Sequence, residues 1–406
     1  MRSSYASKLA STALVVVSLI LSLWLVEVGL RLYFHGTVFS PVGDSVSQER
    51  HPVRGTFNRP NTTYGMLKLA FAATARINSR GIRGPEFEQE PKPGIYRILL
   101  VSDSGAFGSG VNDGEPMPDQ MQAILGKDKY EMINLSVSAY TNVQEYLWLI
   151  NEGLSYKPSM VIFGFSPAND IQTNYYPLQR LFQRDSKRPY AVPDGQGGFT
   201  VDNSYMRASA DRAKKFNILN MARDFVAGPL VQRVVDQAIE ATTGGRKTDP
   251  NIWIGWPFLS EYSLADAEGG RTAADYDKLW SEGWAVTKAV IRSMRDKTEA
   301  AGAKFVMYPY VNKMQGNPDF QARVKAALPN LKLDMEKPER EFRAFGAEAD
   351  IPVISMYEAV MSAAAAGDRN IYFGLDDEHM TAHGHRLAAE ALVADLRAQS
   401  LLPQTP

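Results

Sequence analysis

The chain has 406 residues and a formal net charge of −1, from 44 basic and 45 acidic side chains. This balance gives no overall positive field to attract nucleic acid, so no nucleic-acid partner is expected. The chain has no cysteine, which excludes disulfide bonds and thiolate metal sites, and its 45% hydrophobic content suffices for a folded core.

The first predicted element is an apolar segment near the N-terminus. Between Lys8 and Glu27, the run Leu9 to Val26 carries no charge. As a helix it extends over about 27 Å, close to the thickness of a bilayer core. No small-residue cleavage site follows, so we favour an uncleaved signal anchor over a cleaved signal peptide. Arg2 and Lys8 before the span, against Arg31 after it, predict a single-pass protein of the cytoplasmic membrane with its bulk outside the cytoplasm.

From residue 93 onward, strand and helix patterns alternate. Residues 34–92 are rich in Gly, Pro, Asn and Arg, and we interpret them as a linker that wraps the domain, with the arginines of the turn Asn78 to Gly84 at the surface. The alternation beyond them predicts an α/β fold with three α/β/α layers and a flavodoxin-like parallel sheet. The predicted strands are Tyr96 to Val101, Tyr130 to Leu135, Met160 to Phe165, Lys304 to Tyr308 and Pro352 to Met356.

A long mid-chain insertion at 171–272 interrupts this alternation. It contains a hairpin signal at Pro189 to Phe199 and an amphipathic pattern at Ala213 to Ala241, and such excursions often form lids or recognition segments. The predicted helices of the domain are Pro116 to Leu125, Asn142 to Glu152, Ala274 to Ala301, Glu336 to Ala349 and Ala382 to Gln399. The predicted units are an anchor at 1–33, the linker, a domain at 93–400 and a tail at 401–406.

Polar side chains follow the predicted strands at their carboxyl ends, which share one edge of a parallel sheet. The first strand ends in Ser102-Asp103-Ser104-Gly105, the second runs into the loop that holds Ala139, and the third is followed by Asn169. A serine nucleophile needs a base, an acid that orients the base, and donors for an oxyanion. Asp376 and His379 after the last strand suit the first two roles, and the Ala139 N–H and the Asn169 amide suit the third.

In this order, the motifs resemble the blocks of the SGNH hydrolases, also called GDSL esterases and lipases. The resemblance extends over roughly residues 78–392, apart from the insertion. The Gly-Asp-Ser, Asn-x-x-x-x-Gly, Gly-x-Asn-Asp and Asp-x-x-His blocks of that family are similar to Ser102 to Ser104, Asn134 to Ala139, Pro167 to Asp170 and Asp376 to His379.

The resemblance implies a role for each matched residue. Ser104 is the implied nucleophile, Asp376 and His379 are the acid and base, and the oxyanion hole is formed by the N–H groups of Ser104 and Ala139 with the Asn169 amide. No cofactor or metal is implied. The implied activity is an ester hydrolase acting on an O-acylated small molecule, glycan or lipid. The alternative with the same site is an O-acyl or O-acetyltransferase to a polysaccharide.

The sequence departs from this pattern at three glycine positions, which are occupied by Ser102, Ala139 and Pro167. A backbone N–H survives at Ala139, provided that the local backbone conformation tolerates a Cβ. Activity therefore depends on whether the structure accommodates these replacements.

Two further hypotheses from other classes remain open. A non-catalytic binding or scaffold protein of an envelope complex would need none of this chemistry. A metal-dependent hydrolase would draw its ligands from Asp376, Asp377, Glu378, His379 and His383.

For His383 and His385 we expect positions at the helix start and on the surface rather than a role as metal ligands.

Overall fold

The structure is a computed structural model that describes residues 2–35, 48–68, 70–180, 188–206, 273–327, 334–374 and 377–403. The predicted helix at Ala213 to Ala241 and most of the insertion lie outside the described residues. So does Asp376.

The N-terminal part consists of a long helix and two β-hairpins. Its elements are α1 (Arg2–His35), β1 (Gln48–His51), β2 (Gly55–Asn58), β3 (Thr62–Lys68) and β4 (Phe71–Ile77).

Strands and helices then alternate along the rest of the chain. These elements are β5 (Tyr96–Val101), α2 (Ser104–Phe107), α3 (Met117–Leu125), β6 (Tyr130–Asn134), α4 (Asn142–Asn151), β7 (Met160–Phe165), α5 (Asp170–Asn174), α6 (Tyr176–Gln179), β8 (Tyr190–Pro193), β9 (Phe199–Asp202), α7 (Ala273–Ala300), β10 (Lys304–Pro309), α8 (Lys313–Gly316), α9 (Pro318–Ala327), α10 (Lys337–Ala349), α11 (Tyr357–Ala365) and α12 (Ala382–Ala398). The five predicted helices of the domain and the first four predicted strands are confirmed, with ends that shift by at most one residue.

The central sheet has the order β6-β5-β7-β10, and all of its pairs are parallel. Read by position along the chain, this is the flavodoxin-like order, so the predicted fold class is confirmed. The predicted fifth strand, Pro352 to Met356, is reduced to one parallel bridge between Met307 and Val353. The ladder stops there because its next bond would run from residue 309 of β10 to Ile354 O, and Pro309 has no N–H to donate.

Helical layers cover both faces of the sheet. Alternate side chains of β5 point to opposite faces, so Leu99 and Val101 join the apolar cluster of α4, α7 and α10. Ile98 and Leu100 join the cluster of α3, α11 and α12. All four side chains are fully buried, and burial of each such side chain stabilises the fold by about 1.5–3 kcal/mol.

Helix α1 carries the predicted apolar span. Within it, Ser11–Leu30 has a mean hydropathy of 2.4 and is almost entirely exposed. By length and composition this helix can cross a membrane, and a signal sequence has the same properties.

The segment that we interpreted as a linker contains the two hairpins β1–β2 and β3–β4. Hairpin β3–β4 packs Ala73, Ala75 and Ile77 against Phe107, and Phe57 of β2 lies edge-on against Trp148 of α4, with ring centroids 5.3 Å apart. Both hairpins therefore contact the elements that form the candidate site.

Candidate active site

Ser104 is the first residue of α2, at the carboxyl end of β5. Asp103 caps this short helix, because its Oδ1 accepts the Gly105 N–H at 3.0 Å. Gly105 lets Tyr310 pack closely here, since a Cβ at this position would lie 3.0 Å from the Tyr310 ring and would push it outward. Ser104 is partly exposed. Within the described residues, neither its hydroxyl nor its backbone N–H has a hydrogen-bond partner.

Two buried side chains hold the far end of α2. Arg83 donates to the carbonyls of Phe107 at 2.9 Å, Gly108 at 2.7 Å and Val111 at 2.7 Å, and Asn134 Nδ2 donates to Ala106 O at 3.1 Å. Arg83 is only 3% exposed, so the expectation that it is a surface arginine is wrong. Its fork of donors satisfies carbonyls that a short helix leaves without partners.

Ala139 adopts a left-handed backbone conformation with φ +64°. The loop therefore accepts a Cβ at this glycine position of the family pattern, at a cost of about 1–2 kcal/mol. Ala139 is exposed between the buried residues Ser138 and Tyr140. Its N–H has no hydrogen-bond partner among the described residues, as an oxyanion donor requires.

Asn169 closes a turn that begins at Ser166, and the Asn169 N–H donates to Ser166 O at 3.3 Å. Pro167 occupies the second position of this turn, which proline favours, so its replacement of glycine is readily accommodated. The Asn169 side chain donates from Nδ2 to Asp103 Oδ2 at 3.3 Å. Asp103 thus links the start of the Ser104 helix to the Asn169 amide.

Ser102, the third replacement, is accommodated by a glycine on the neighbouring strand. Its hydroxyl donates to Gly164 O at 3.1 Å. A Cβ on Gly164 would lie 2.7 Å from the Ser102 Oγ and 2.4 Å from the Tyr308 hydroxyl. A serine thus occupies the glycine position of the family motif at the end of β5, and Gly164 on the adjacent strand β7 leaves the space for its side chain.

His379 contacts the carboxylate of Asp377. Asp377 Oδ1 lies 2.9 Å from His379 Nδ1 and accepts the His379 N–H at 3.0 Å. Asp376, the predicted acid, lies outside the described residues. Lys313, which is buried, donates from Nζ to the carbonyls of Phe373 and Asp377, both at 2.8 Å, and so holds the backbone of the acid that contacts the imidazole.

The strand ends meet around the buried Asp103 carboxyl. Burial raises the pKa of Asp103, and the Gly105 N–H, the Asn169 amide and the nearby His379 oppose that rise. His379 therefore lies within electrostatic range of the residue next to Ser104. The Ser109 and Ser138 hydroxyls, 3.3 Å apart, join the nucleophile segment to the loop of Ala139.

Two more buried carboxyls lie behind this site, Glu145 on α4 and Asp170 at the start of α5. They are 0% and 1% exposed. Asn142 donates to Glu145 Oε2 at 2.9 Å, and Asp170 Oδ2 accepts the Ser166 N–H at 2.6 Å. Burial raises the pKa of both carboxyls well above their usual range, with repulsion from Asp170 and Asp103 adding to the rise at Glu145 and repulsion from Asp103 adding to it at Asp170, so they favour the neutral form.

The histidines near His379 have other partners. The exposed His383 lies with Nε2 2.6 Å from Asp368 Oδ2. His385 is not at the surface, because it is 1% exposed and its Nδ1 accepts the Met117 N–H at 3.2 Å. Burial lowers the pKa of His385 to about 3. Within the described ranges, no group of three or more His, Asp or Glu side chains is arranged to hold a metal ion.

The sequence analysis missed the structural roles of three residues near the site: Gln48, Arg83 and Asp377, the last of which it named only as a candidate metal ligand. Asp377 follows Asp376, the residue that fits the family spacing. Which of these two carboxylates contacts His379 depends on the local backbone conformation. Arg83 belongs to a turn whose Gly-Ile-Arg-Gly pattern we interpreted as surface. Gln48 is in a segment without apolar periodicity, and no sequence signal marks it.

No family model matches the chain, and no curated protein matches it. Among solved structures, it is similar to a lipase/acylhydrolase from Enterococcus faecalis, with 13% identity over 77% of this chain and 100% of the other, at a TM-score of 0.34. It is also similar to a mutant acetylxylan esterase from Geobacillus stearothermophilus, with 11% identity over 75% and 96%, at a TM-score of 0.37. A third is the acetyl xylan esterase AlAXEase, with 11% identity over 73% and 98%, at a TM-score of 0.37.

Proposed function

We propose that this protein is a serine-dependent ester hydrolase of the SGNH type. The observation that carries the proposal is the double contact of Asp103, which accepts the Gly105 N–H of the Ser104 helix and the Asn169 amide. This contact joins the helix of Ser104 to the Asn169 side chain and so supports the pairing of nucleophile and oxyanion donor.

In the first half of the reaction, Ser104 Oγ attacks the ester carbonyl carbon, and its proton passes to His379 Nε2. The N–H groups of Ser104 and Ala139 and the Asn169 amide bind the oxyanion. When the intermediate collapses, the alcohol leaves with the proton from His379, and the acyl group stays on Ser104 as an ester.

In the second half, water attacks the acyl-Ser104 ester while His379 takes its proton. The carboxylic acid leaves, and the proton returns to Ser104. A carboxylate that is hydrogen-bonded to Nδ1 of His379 fixes the tautomer of the imidazole and stabilises its cation. The family pattern assigns this role to Asp376, and the 2.9 Å contact favours Asp377.

We place the substrate outside the cytoplasm, as an O-acylated glycan or lipid of the cell envelope. The apolar helix α1 supports attachment to the membrane, as a single-pass anchor with the domain on the outer side. With a polysaccharide hydroxyl in place of water, the same acyl-enzyme supports O-acyl or O-acetyl transfer, which is the alternative function.

The test uses the full chain in detergent micelles with short-chain aryl esters, with and without a sugar acceptor. Wild type should hydrolyse the esters, and Ser104→Ala should reduce turnover by at least about 10⁴-fold. His379→Ala should lose turnover and keep its circular dichroism spectrum. Acceptor-dependent acylation of the sugar would assign transfer rather than hydrolysis.

The same preparation separates the rival hypotheses. A metal-dependent hydrolase predicts activity that disappears with a chelator and survives Ser104→Ala. A scaffold protein predicts no turnover of any ester by wild type, which would refute both catalytic functions.

A further inference from the structure

We infer that Gln48, in the hairpin that follows the anchor helix, is a positioning residue for the oxyanion hole. It orients the peptide that carries the Ala139 N–H. The inference rests on the proposed function, because an oxyanion donor matters only if an oxyanion forms.

The key contact is a single hydrogen bond to the backbone. Gln48 Nε2 donates to Ser138 O at 3.1 Å. That oxygen belongs to the same peptide unit as the N–H of Ala139. Because a trans peptide is planar, its C=O and N–H point in opposite directions. Holding the carbonyl toward β1 therefore directs the N–H away from β1, to the exposed side of the loop.

The backbone at Ala139 explains why such a restraint is needed. With φ +64°, an alanine lies in a region that its Cβ disfavours, and such conformations persist only where surrounding contacts enforce them. A flip of the 138–139 peptide would relieve the strain. It would also place a carbonyl where the N–H should meet the oxyanion, and so would repel the negative charge.

The rest of the hairpin braces the same loop. The Tyr140 hydroxyl donates to Thr56 O at 2.7 Å, and Gln144 Nε2 donates to Arg54 O at 2.6 Å. These bonds fix hairpin β1–β2 to the loop and to the first turn of α4, so that Gln48 reaches the Ser138 carbonyl, whose peptide carries the Ala139 N–H. A glycine at position 139 would adopt the same φ without strain. Gln48 thus offsets the effect of alanine at this position.

The test compares Gln48→Met, which keeps the side-chain length without a donor, with Glu49→Ala, an exposed neighbour on the same strand. Gln48→Met should lower kcat for an aryl ester about 10-fold, as expected for one net hydrogen bond, with KM unchanged because the donor acts in the transition state. Gln48→Glu, which sets an acceptor against the carbonyl, should lower kcat further, within the about 10²–10³-fold of a lost oxyanion donor. Glu49→Ala should match wild type.

A rescue experiment separates positioning from a merely structural role. Because glycine carries no strain at this φ, adding Ala139→Gly to Gln48→Met should restore most of the lost kcat. In protein labelled with ¹⁵N-alanine, Gln48→Met should shift the Ala139 amide resonance, which is assigned by its loss in Ala139→Gly.

The inference is overturned if wild type turns over esters and Gln48→Met keeps both its kcat and its Ala139 resonance. It is equally overturned if the loss of kcat is not restored by Ala139→Gly. If wild type turns over no ester, the proposed function fails. The Ala139 resonance alone then decides whether Gln48 orients the peptide.

Discussion

Replacing the buried Glu145 by glutamine should change how stability depends on pH. The substitution keeps the shape of the side chain and an oxygen for the Asn142 donor, which lies 2.9 Å from Glu145 Oε2. It removes one ionisable group from the buried set of Asp103, Glu145 and Asp170. Burial, and then the charges of Asp170 and Asp103, raise the pKa of Glu145.

The sign of the effect follows from proton linkage. A raised pKa means that the folded protein binds this proton more tightly than the unfolded chain, in which a glutamate has a pKa of about 4.3. The stabilisation is complete below that value and is lost as the pH rises toward the folded pKa. The free energy of unfolding falls by at most about 1.4 kcal/mol per pH unit for each such group.

Glu145→Gln removes this loss for one group, because glutamine has no proton to bind or release. The unfolding free energy of the variant should therefore fall less steeply between pH 5 and 8 than that of wild type. The assay is urea unfolding of the full chain in micelles, followed by tryptophan fluorescence at several pH values. The exposed Glu49→Gln serves as the control and should leave the slope unchanged. Equal slopes for Glu145→Gln and wild type would refute the reasoning.

Three further predictions concern the site and its support. Asn169→Ala should lower kcat for aryl esters about 10²–10³-fold with KM unchanged, as steady-state kinetics can show. Asp377→Asn should lower kcat by about 10²–10⁴-fold and more than Asp376→Asn, because Asp377 contacts the imidazole; the reverse order would assign the role to Asp376. Arg83→Met should lower the free energy of unfolding by about 3 kcal/mol, since it strands buried carbonyls. The exposed Arg76→Met, which breaks an ion pair to Asp113, should cost less than about 1 kcal/mol in the same urea titration.

Much of the fold could be predicted because buried parallel strands leave a simple trace. The run Met160 to Phe165 is apolar throughout and is buried throughout. Hairpin β1–β2 leaves no such trace, because it is short and polar and is stabilised by side-chain bonds such as that from Tyr140 to Thr56. The fifth predicted strand is reduced to a bridge because Pro309 of β10 has no N–H to continue the ladder, and the apolar pattern of Pro352 to Met356 does not show this.

The candidate site also has a part that could be predicted from the sequence and a part that could not. The position of Ser104, Ala139 and Asn169 at one sheet edge follows from topology, which the order of strands and helices predicts. The choice between adjacent carboxylates, and the reach of Gln48 to Ser138 O over 90 residues, depend on local backbone geometry and on packing between distant segments. Neither leaves a periodic signal in the sequence.

The central claim is that Ser104 becomes acylated with His379 as its base. A fluorophosphonate, which reacts with activated serines, tests this directly when the labelled protein is digested and the adduct is located by mass spectrometry. We predict an adduct on Ser104 in wild type and none in His379→Ala that retains its fold. Failure to label Ser104 in wild type, or equal labelling in His379→Ala, would contradict the account.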